Sequence, residues 1–201
     1  MLVAGLTGGM ACGKTFVAGA LHDLGCHIIE ADELGREVMA PGGGAFHNIL
    51  QIFGRDILAA DGSIDRQKLA ARVFTHPPSI AKLNAIVHPA VRARARQEFE
   101  AIGQADPRAI VIYIAAILIE SGAYREAAKI IVVTCRREQQ IERAMQRPGA
   151  VQADVLARLA TQMPLEEKLK FADYVIDTSG TKEDTLRQTR EVYEELRRLS
   201  G

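Results

Sequence analysis

The feature that most constrains the fold is a glycine-rich segment near the start of the 201-residue chain. Residues 8–15 read Gly-Gly-Met-Ala-Cys-Gly-Lys-Thr and match the pattern G-x-x-x-x-G-K-[ST]. The apolar run Leu2–Leu6 precedes the segment, and a helical spacing of apolar residues follows it. A loop in this position presents backbone N–H groups and the positive end of a helix dipole to phosphate oxygens. The segment therefore predicts a nucleoside triphosphate site, without deciding between kinases, GTPases and motor proteins.

The individual residues of this phosphate loop, defined here as residues 8–16, have distinct expected roles. The Lys14 ammonium is expected to contact the β- and γ-phosphates, and the Thr15 hydroxyl to bind Mg²⁺. If position 11 needs a positive φ, its alanine costs about 1 kcal/mol, because a Cβ disfavours that conformation. The predicted ATP-binding residues are Gly8, Gly9, Met10, Ala11, Cys12, Gly13, Lys14, Thr15 and Phe16.

Short apolar runs alternate with longer amphipathic stretches along the chain, which is typical of βα units around a buried parallel sheet. The predicted strands are Leu2–Leu6, Cys26–Glu30, Ala109–Ile114, Ile130–Thr134 and Tyr174–Asp177. A long insertion separates the second strand from the third, with predicted helices at Phe46–Phe53, Arg66–Phe74 and Ile80–Phe99, the last broken at His88-Pro89. A closing amphipathic helix is predicted over residues 181–199.

The composition excludes several classes of function. The 25 Lys and Arg residues balance the 25 Asp and Glu residues, so no overall positive field draws the protein to nucleic acid or to a membrane surface. Aromatic residues are scarce and Trp is absent, which further argues against a nucleic-acid partner. No apolar stretch is long enough to span a membrane, and the first residues do not resemble a signal peptide. Three widely spaced cysteines favour a reducing cytoplasm.

Asp32 is the first candidate for catalysis outside the loop. It follows the second predicted strand, and ligands of open α/β sheets gather at the carboxyl ends of the strands. A carboxylate there could orient an acceptor hydroxyl and take its proton during phosphoryl transfer. The alternative is that Asp32 is the N-cap of a helix that begins at Glu33.

Several short motifs, taken together, resemble those of dephospho-CoA kinase, a family of P-loop kinases. The segments that carry the resemblance follow one another in order over residues 2–180: Leu6–Gly9, Glu30–Asp32 with Arg36, Phe53-Gly54, Asp61-Gly62 with Arg66, Val87–Pro89, Leu118–Glu120, Gln140–Arg147, Gln162–Lys168 and Ala172–Asp177. The loop departs from the family's usual Gly-Ser-Gly-Lys-Ser-Thr at Ala11, Cys12, Thr15 and Phe16.

The resemblance implies a P-loop NTPase-type three-layer α/β sandwich with a five-stranded parallel sheet, forming a single kinase domain over residues 1–201. It implies a helical substrate-binding insertion at about residues 41–104 and a lid at about residues 137–165. It also implies ATP-dependent phosphorylation of the ribose 3′-hydroxyl of dephospho-coenzyme A, the last step of coenzyme A synthesis. The implied cofactors are ATP and Mg²⁺, and the implied protein is a monomer or a small homo-oligomer.

The resemblance assigns further site residues by position. The catalytic set is Asp32, Lys14, Arg143 and Arg147, and the substrate-binding set is Asp32, Arg36, His88, Leu118 and Glu120. Arg143 and Arg147 are four residues apart, so we expect them to share one face of a lid helix and to clamp phosphate together.

Simpler interpretations remain open for some of these residues. His88 is equally well explained as a helix-end cap or a packed histidine, and Glu120 as a surface residue at the start of a helix. Arg92, Arg94 and Arg96 are typical of a solvated helix face. Cys12 is either a reactive thiol at a helix N-terminus or a small filler residue. Alternative functions are a nucleoside or nucleoside-monophosphate kinase, or a nucleotide-binding module with little turnover.

Overall fold

A computed structural model describes residues 1–74 and 77–201 of the chain. The strands are β1 (Leu2–Gly8), β2 (His27–Glu30), β3 (Ile110–Ile114), β4 (Lys129–Thr134) and β5 (Tyr174–Asp177). The helices are α1 (Lys14–Asp23), α2 (Ala31–Met39), α3 (Phe46–Phe53), α4 (Arg66–Phe74), α5 (Pro77–Ala105), α6 (Arg137–Met145), α7 (Gln152–Thr161), α8 (Leu165–Leu169) and α9 (Lys182–Ser200), with 3₁₀ turns at Arg55–Ile57 and Ala123–Glu126.

The strands form a five-stranded sheet in the order β2-β3-β1-β4-β5. Strand β1 pairs in parallel with both β3 and β4, so Leu6 lies opposite Ile114 on one side and Ile131 on the other. The inner strands are rich in β-branched residues, which suits strands covered on both faces. The predicted α/β class with a five-stranded parallel sheet is confirmed. Because β1 is central, the phosphate loop at its carboxyl end lies in the middle of that edge of the sheet.

The chain divides into two compact units, residues 1–29 with 101–201 and residues 30–100. In the first unit, α1 and α9 pack on the sheet and bury a common apolar core. That core includes Leu6, Val17, Leu21, Ile131, Ile176, Val192 and Leu196. Thr181 caps α9 by accepting a hydrogen bond from the Asp184 backbone N–H at 3.1 Å, which explains why the predicted closing helix forms where it does.

The second unit is helical and has its own buried residues. They include Leu34, Val38, Ala45, Ile49, Phe53, Ile57, Leu69, Val73, Val91, Ala95 and Phe99. The predictions for α3 and α4 are confirmed at both ends of each helix. The predicted break at His88-Pro89 is wrong, because α5 runs continuously through Pro89. A proline removes one backbone donor, and the apolar spacing of Val91, Ala95 and Phe99 continues the helix beyond it.

In residues 1–74 and 77–201, none of the helices is both long enough and apolar enough to cross a bilayer.

Candidate active site

The phosphate loop connects β1 to α1 through a backbone that depends on its glycines. Gly8 has a φ of 151°, and a Cβ built there would collide with the backbone oxygen of Val133 on β4. Gly13 has a φ of 85° and is the residue before α1. Ala11 has a φ of 59°, and within the described part of the chain it is the only residue other than glycine with a positive φ. The loop therefore places an alanine in the left-handed region, where its Cβ is a source of strain.

Lys14 and Thr15 begin α1 directly after the loop. The Lys14 ammonium donates to the backbone oxygens of Gly8 at 3.0 Å and Gly9 at 2.9 Å, which holds its charge beside the loop. Thr15 is exposed in the first helical turn. The backbone N–H of Phe16 donates to the Gly13 oxygen at 3.0 Å, so this amide belongs to the helix in the present structure.

Three side chains from later segments hold the loop, and none of them is among the predicted site residues. The Gln162 Oε1 accepts a hydrogen bond from the Met10 backbone N–H at 3.0 Å. The Thr178 hydroxyl lies 2.9 Å from the Cys12 backbone oxygen, and Gln140 Nε2 lies 2.9 Å from Cys12 Sγ. Thr178 directly follows β5, so its position at the carboxyl end of another strand of the same sheet was the signal that could have identified it.

The two predicted lid arginines do not share a helix. Helix α6 ends at Met145, and Arg147 lies beyond it. The residue that follows is Pro148, which disfavours helical backbone at Arg147, so the expectation of a common helix face is wrong. Arg143 lies on α6 and donates to the hydroxyl and backbone oxygens of Thr178 at 2.9 and 2.8 Å. Arg147 is exposed and, with Met10 and Arg158, lines a cavity of about 210 Å³.

Asp32 and Arg36 lie on α2 in the second unit. The helix begins at Ala31 and its N-cap is Glu30, so the alternative that Asp32 is the N-cap is wrong. Asp32 is an exposed carboxylate in the first turn, where the helix dipole stabilises negative charge. Arg36 is exposed and lines a cavity of about 200 Å³ whose other walls include Arg66, Ile64 and Leu69.

Comparison with known proteins identifies the family of the chain. A family model for dephospho-CoA kinase matches residues 2–184. The chain belongs to the dephospho-CoA kinase family. A dephospho-CoA kinase of Geobacillus kaustophilus is 43% identical over 187 residues, which cover 93% of this chain and 92% of the relative. A solved protein of Thermus thermophilus is 30% identical, with a TM-score of 0.82 over 96% of this chain and 97% of its own. A solved dephospho-CoA kinase of Campylobacter jejuni is 26% identical, with a TM-score of 0.75 over 99% and 98%.

Two of the substrate-side residues suggested by the resemblance to dephospho-CoA kinases lie after β3. Leu118 is completely buried and packs over Gly5 of the central strand, so its side chain forms part of the core. Glu120 lies in a turn rather than at the start of an α-helix. Its carboxylate pairs with the buried Lys168 ammonium at 2.9 Å and accepts a hydrogen bond from the Met163 backbone N–H at 3.2 Å. Glu120 therefore links this turn to the α8 region.

His88 and its neighbours lie on α5. Because α5 continues past His88, the helix-end interpretation is wrong, and His88 is a half-buried residue of the helix. Burial, together with the positive charge of Arg92, lowers the pKa of His88 below its usual value. Arg94 is not simply solvated, because it pairs with Glu37 of α2 at 3.1 Å and with Glu98 at 2.8 Å.

Proposed function

We propose that this chain transfers the γ-phosphoryl group of ATP to the ribose 3′-hydroxyl of dephospho-coenzyme A, giving coenzyme A and ADP. The observation that carries the proposal is the family match over residues 2–184, in a chain whose phosphate loop leaves no room for a side chain at Gly8. Catalysis of this kind depends on positioning and on electrostatic stabilisation more than on covalent chemistry by the protein. Each proposed residue is therefore assigned by the charge or donor that it supplies.

The ATP side of the site consists of the phosphate loop and the first turn of α1. The loop amides and the helix dipole bind the phosphates, and Lys14 contributes a positive charge that is already held beside the loop. Thr15 fits a magnesium site, because its hydroxyl is exposed at the start of α1 and Mg²⁺ takes few protein ligands when phosphates supply the rest. When bound, Mg²⁺ would neutralise charge on the transferring phosphate.

The acceptor side lies in the second unit. We assign Asp32 as the general base that accepts the proton of the attacking hydroxyl, because it is an exposed carboxylate in the first turn of α2, just after the carboxyl end of β2. The cavity beside Arg36 and Arg66 combines two guanidinium groups with the apolar side chains of Ile64 and Leu69. Such a surface suits a diphosphate carried on a nucleoside, as in dephospho-coenzyme A. His88 remains a predicted substrate contact.

Arg143 and Arg147 are proposed to stabilise the charge that develops on the transferring phosphate. Arg143 is positioned through Thr178, whose hydroxyl also contacts the loop at Cys12. Arg147 and Met10 both line the cavity of about 210 Å³ that Arg158 also lines. Fixed guanidinium donors close to a phosphate loop are typical of phosphoryl-transfer sites.

We also place the protein in the cytoplasm, because Cys12, Cys26 and Cys135 are all free thiols.

The test is a coupled assay of ADP release with dephospho-coenzyme A, AMP, UMP and uridine as acceptors. We expect turnover with dephospho-coenzyme A and not with the other three. Replacing Asp32 by Asn should lower kcat by about a hundredfold to ten-thousandfold, the usual contribution of a general base, while ATP binding measured by calorimetry stays unchanged. Glu33→Gln is the matched control, because Glu33 is the other exposed acidic residue in the first turn of α2.

Two outcomes would overturn parts of this proposal. Activity with a nucleoside monophosphate and none with dephospho-coenzyme A would refute the substrate. An Asp32→Asn enzyme that turns over as fast as the Glu33→Gln enzyme would refute the assignment of the base.

A further inference from the structure

Two of the three cysteines meet beneath the phosphate loop. The sulfur atoms of Cys12 and Cys135 lie 3.4 Å apart, although the residues are 123 positions apart in sequence. Both side chains are buried. A disulfide requires a sulfur separation of about 2.05 Å, so the two sulfur atoms must approach each other by about 1.3 Å to form the bond. Cys26, the third cysteine, is buried at the start of β2, and burial raises the pKa of its thiol to about 12.

The surroundings of the pair favour one thiolate and one thiol. The Cys135 S–H donates to Cys12 Sγ, and this hydrogen bond is the main cause that lowers the pKa of Cys12 to about 6, against the opposing effect of burial. The Gln140 amide and the Lys14 charge lower the Cys12 pKa further. The same hydrogen bond, together with burial, raises the pKa of Cys135. The pair therefore favours ionisation at Cys12, the nucleophilic sulfur, while the proton stays on Cys135.

The pair is next to a space that a small oxidant could enter. Cys135, Gly9 and Gln140 line a cavity of about 280 Å³. A Cβ built on Gly9 would collide with Gln140 Nε2 and would lie 3.1 Å from Cys12 Sγ, so Gly9 and the Gln140 amide together separate the sulfur from this cavity. Sulfur oxidation by peroxides is selective for thiolates that such a molecule can reach.

We propose that Cys12 and Cys135 form an oxidation site, at which a peroxide closes a reversible disulfide beneath the phosphate loop. In the first step the Cys12 thiolate attacks one peroxide oxygen and the O–O bond breaks, giving a sulfenic acid and a hydroxide that takes up a proton. In the second step the Cys135 sulfur loses its proton and attacks the Cys12 sulfur, and the S–O bond breaks with loss of water. Two thiols are oxidised by two electrons and one peroxide is reduced to two waters.

Closing the disulfide changes the loop itself. It draws Cys12 towards Cys135 and removes the thiolate that accepts the hydrogen bond of Gln140 at 2.9 Å. The Cys12 backbone oxygen is also the partner of the Thr178 hydroxyl. We therefore expect the oxidised loop to bind ATP more weakly, a consequence that rests on the proposed function, whereas the disulfide itself does not.

The first experiment maps the bond. The full-length protein is treated with hydrogen peroxide, its remaining thiols are alkylated, and its peptides are analysed by mass spectrometry without reduction. We expect a cross-linked peptide pair that contains Cys12 and Cys135, and the same pair in the Cys26→Ser control. Cys135→Ser cannot form the bond, so its Cys12 should be trapped as a sulfenic acid by dimedone. Full alkylation of both Cys12 and Cys135 after peroxide treatment, or a cross-link through Cys26, would overturn the proposal.

The second experiment measures ATP affinity by calorimetry for the reduced, oxidised and re-reduced protein. We expect oxidation to weaken the affinity for ATP by about tenfold or more, which is the effect of losing one charge-assisted hydrogen bond that orders the loop. Reduction with dithiothreitol should restore the affinity fully. A mapped disulfide with unchanged ATP affinity would refute its effect on the loop. If the reduced protein did not bind ATP, the proposed function would fail while the mapped oxidation site would stand.

Discussion

Glu120 and Lys168 form an ion pair whose two members are buried to different degrees. The Lys168 side chain is 0% exposed, whereas that of Glu120 is 23% exposed, and the ammonium also donates to the Ala116 backbone oxygen. Removing one partner of a buried pair costs about 3–5 kcal/mol, because the other charge is left without compensation. The charge that remains after each single substitution differs in its access to water. The two substitutions should therefore lower the free energy of unfolding by different amounts.

The larger loss is expected for Glu120→Gln. This change leaves a fully buried ammonium with neutral acceptors only, so we expect a loss of about 3 kcal/mol in the free energy of unfolding, the lower end of the range for a broken buried pair. Lys168→Met keeps the side-chain volume and leaves the partly exposed carboxylate, which water can reach. Its expected loss of about 2 kcal/mol comes from the ammonium hydrogen bond that the Ala116 oxygen loses, with the Thr7 hydroxyl at 3.3 Å as its remaining donor, and from the weakened contacts of Glu120.

The double variant tests whether the charges are coupled. If they are, Glu120→Gln combined with Lys168→Met should lose about 2 kcal/mol, far less than the sum of the single losses, because no buried charge remains. The measurement is urea unfolding followed by circular dichroism, comparing midpoints at a common m-value. Glu167→Gln is the control, because it breaks the exposed pair with Lys170 and should cost at most about 0.5 kcal/mol. The reasoning is refuted if Lys168→Met costs more than Glu120→Gln, or if the double variant loses the full sum.

Three further predictions concern single residues. Ala11→Gly should raise the free energy of unfolding by up to about 1 kcal/mol, because relief of the positive φ outweighs the entropy of an added glycine; an unchanged urea midpoint would contradict this. Gly8→Ala should abolish ATP binding in calorimetry, because the added Cβ would collide with the Val133 backbone oxygen. Gly19→Ala is the control, because a Cβ at position 19 has no atom within 4 Å, and this variant should bind ATP normally. His88 has a lowered pKa in the folded chain, so protonation favours unfolding. The difference in the free energy of unfolding between the wild type and His88→Gln should be constant well above pH 6.5, and the wild type should lose stability relative to the variant as the pH falls through 6.5, as urea titrations across that range can check.

The sequence predicted most of the fold because local periodicity determines it. The strands are short apolar runs, of which β3 and β4 are mostly β-branched, and α3 and α4 have an amphipathic spacing that no tertiary contact has to override. The same local reasoning failed at two prolines for opposite reasons. Pro89 was expected to end a helix that continues through it, while Pro148 limits α6 and was not expected to separate Arg147 from Arg143. A proline's effect depends on whether the helix beyond it has an apolar face to bury.

The contacts that surround the phosphate loop could not be predicted in the same way. The motif identifies the loop, since its backbone must be glycine-rich to approach phosphate. Gln140, Gln162 and Thr178 reach the loop from segments more than a hundred residues away, and no periodicity within those segments marks the pairing. The proximity of Cys12 to Cys135 has the same origin, because it depends on β1 and β4 being neighbours in the sheet.

These distant contacts explain how the loop tolerates an alanine at a position with positive φ. A strained residue persists where its surroundings determine the backbone on both sides. Met10 is held through its backbone N–H by Gln162, and Cys12 is held through its oxygen by Thr178, so the residues that flank Ala11 are both anchored. The conformation of the loop is therefore determined by contacts with other segments of the first unit as well as by the glycines of the loop. It follows that Ala11→Gly should raise the free energy of unfolding without moving the loop. Thr178→Val should instead release the Cys12 backbone and let the backbone of Ala11 leave its strained conformation. We therefore expect this variant to bind ATP more weakly, although Thr178 is not one of the loop residues.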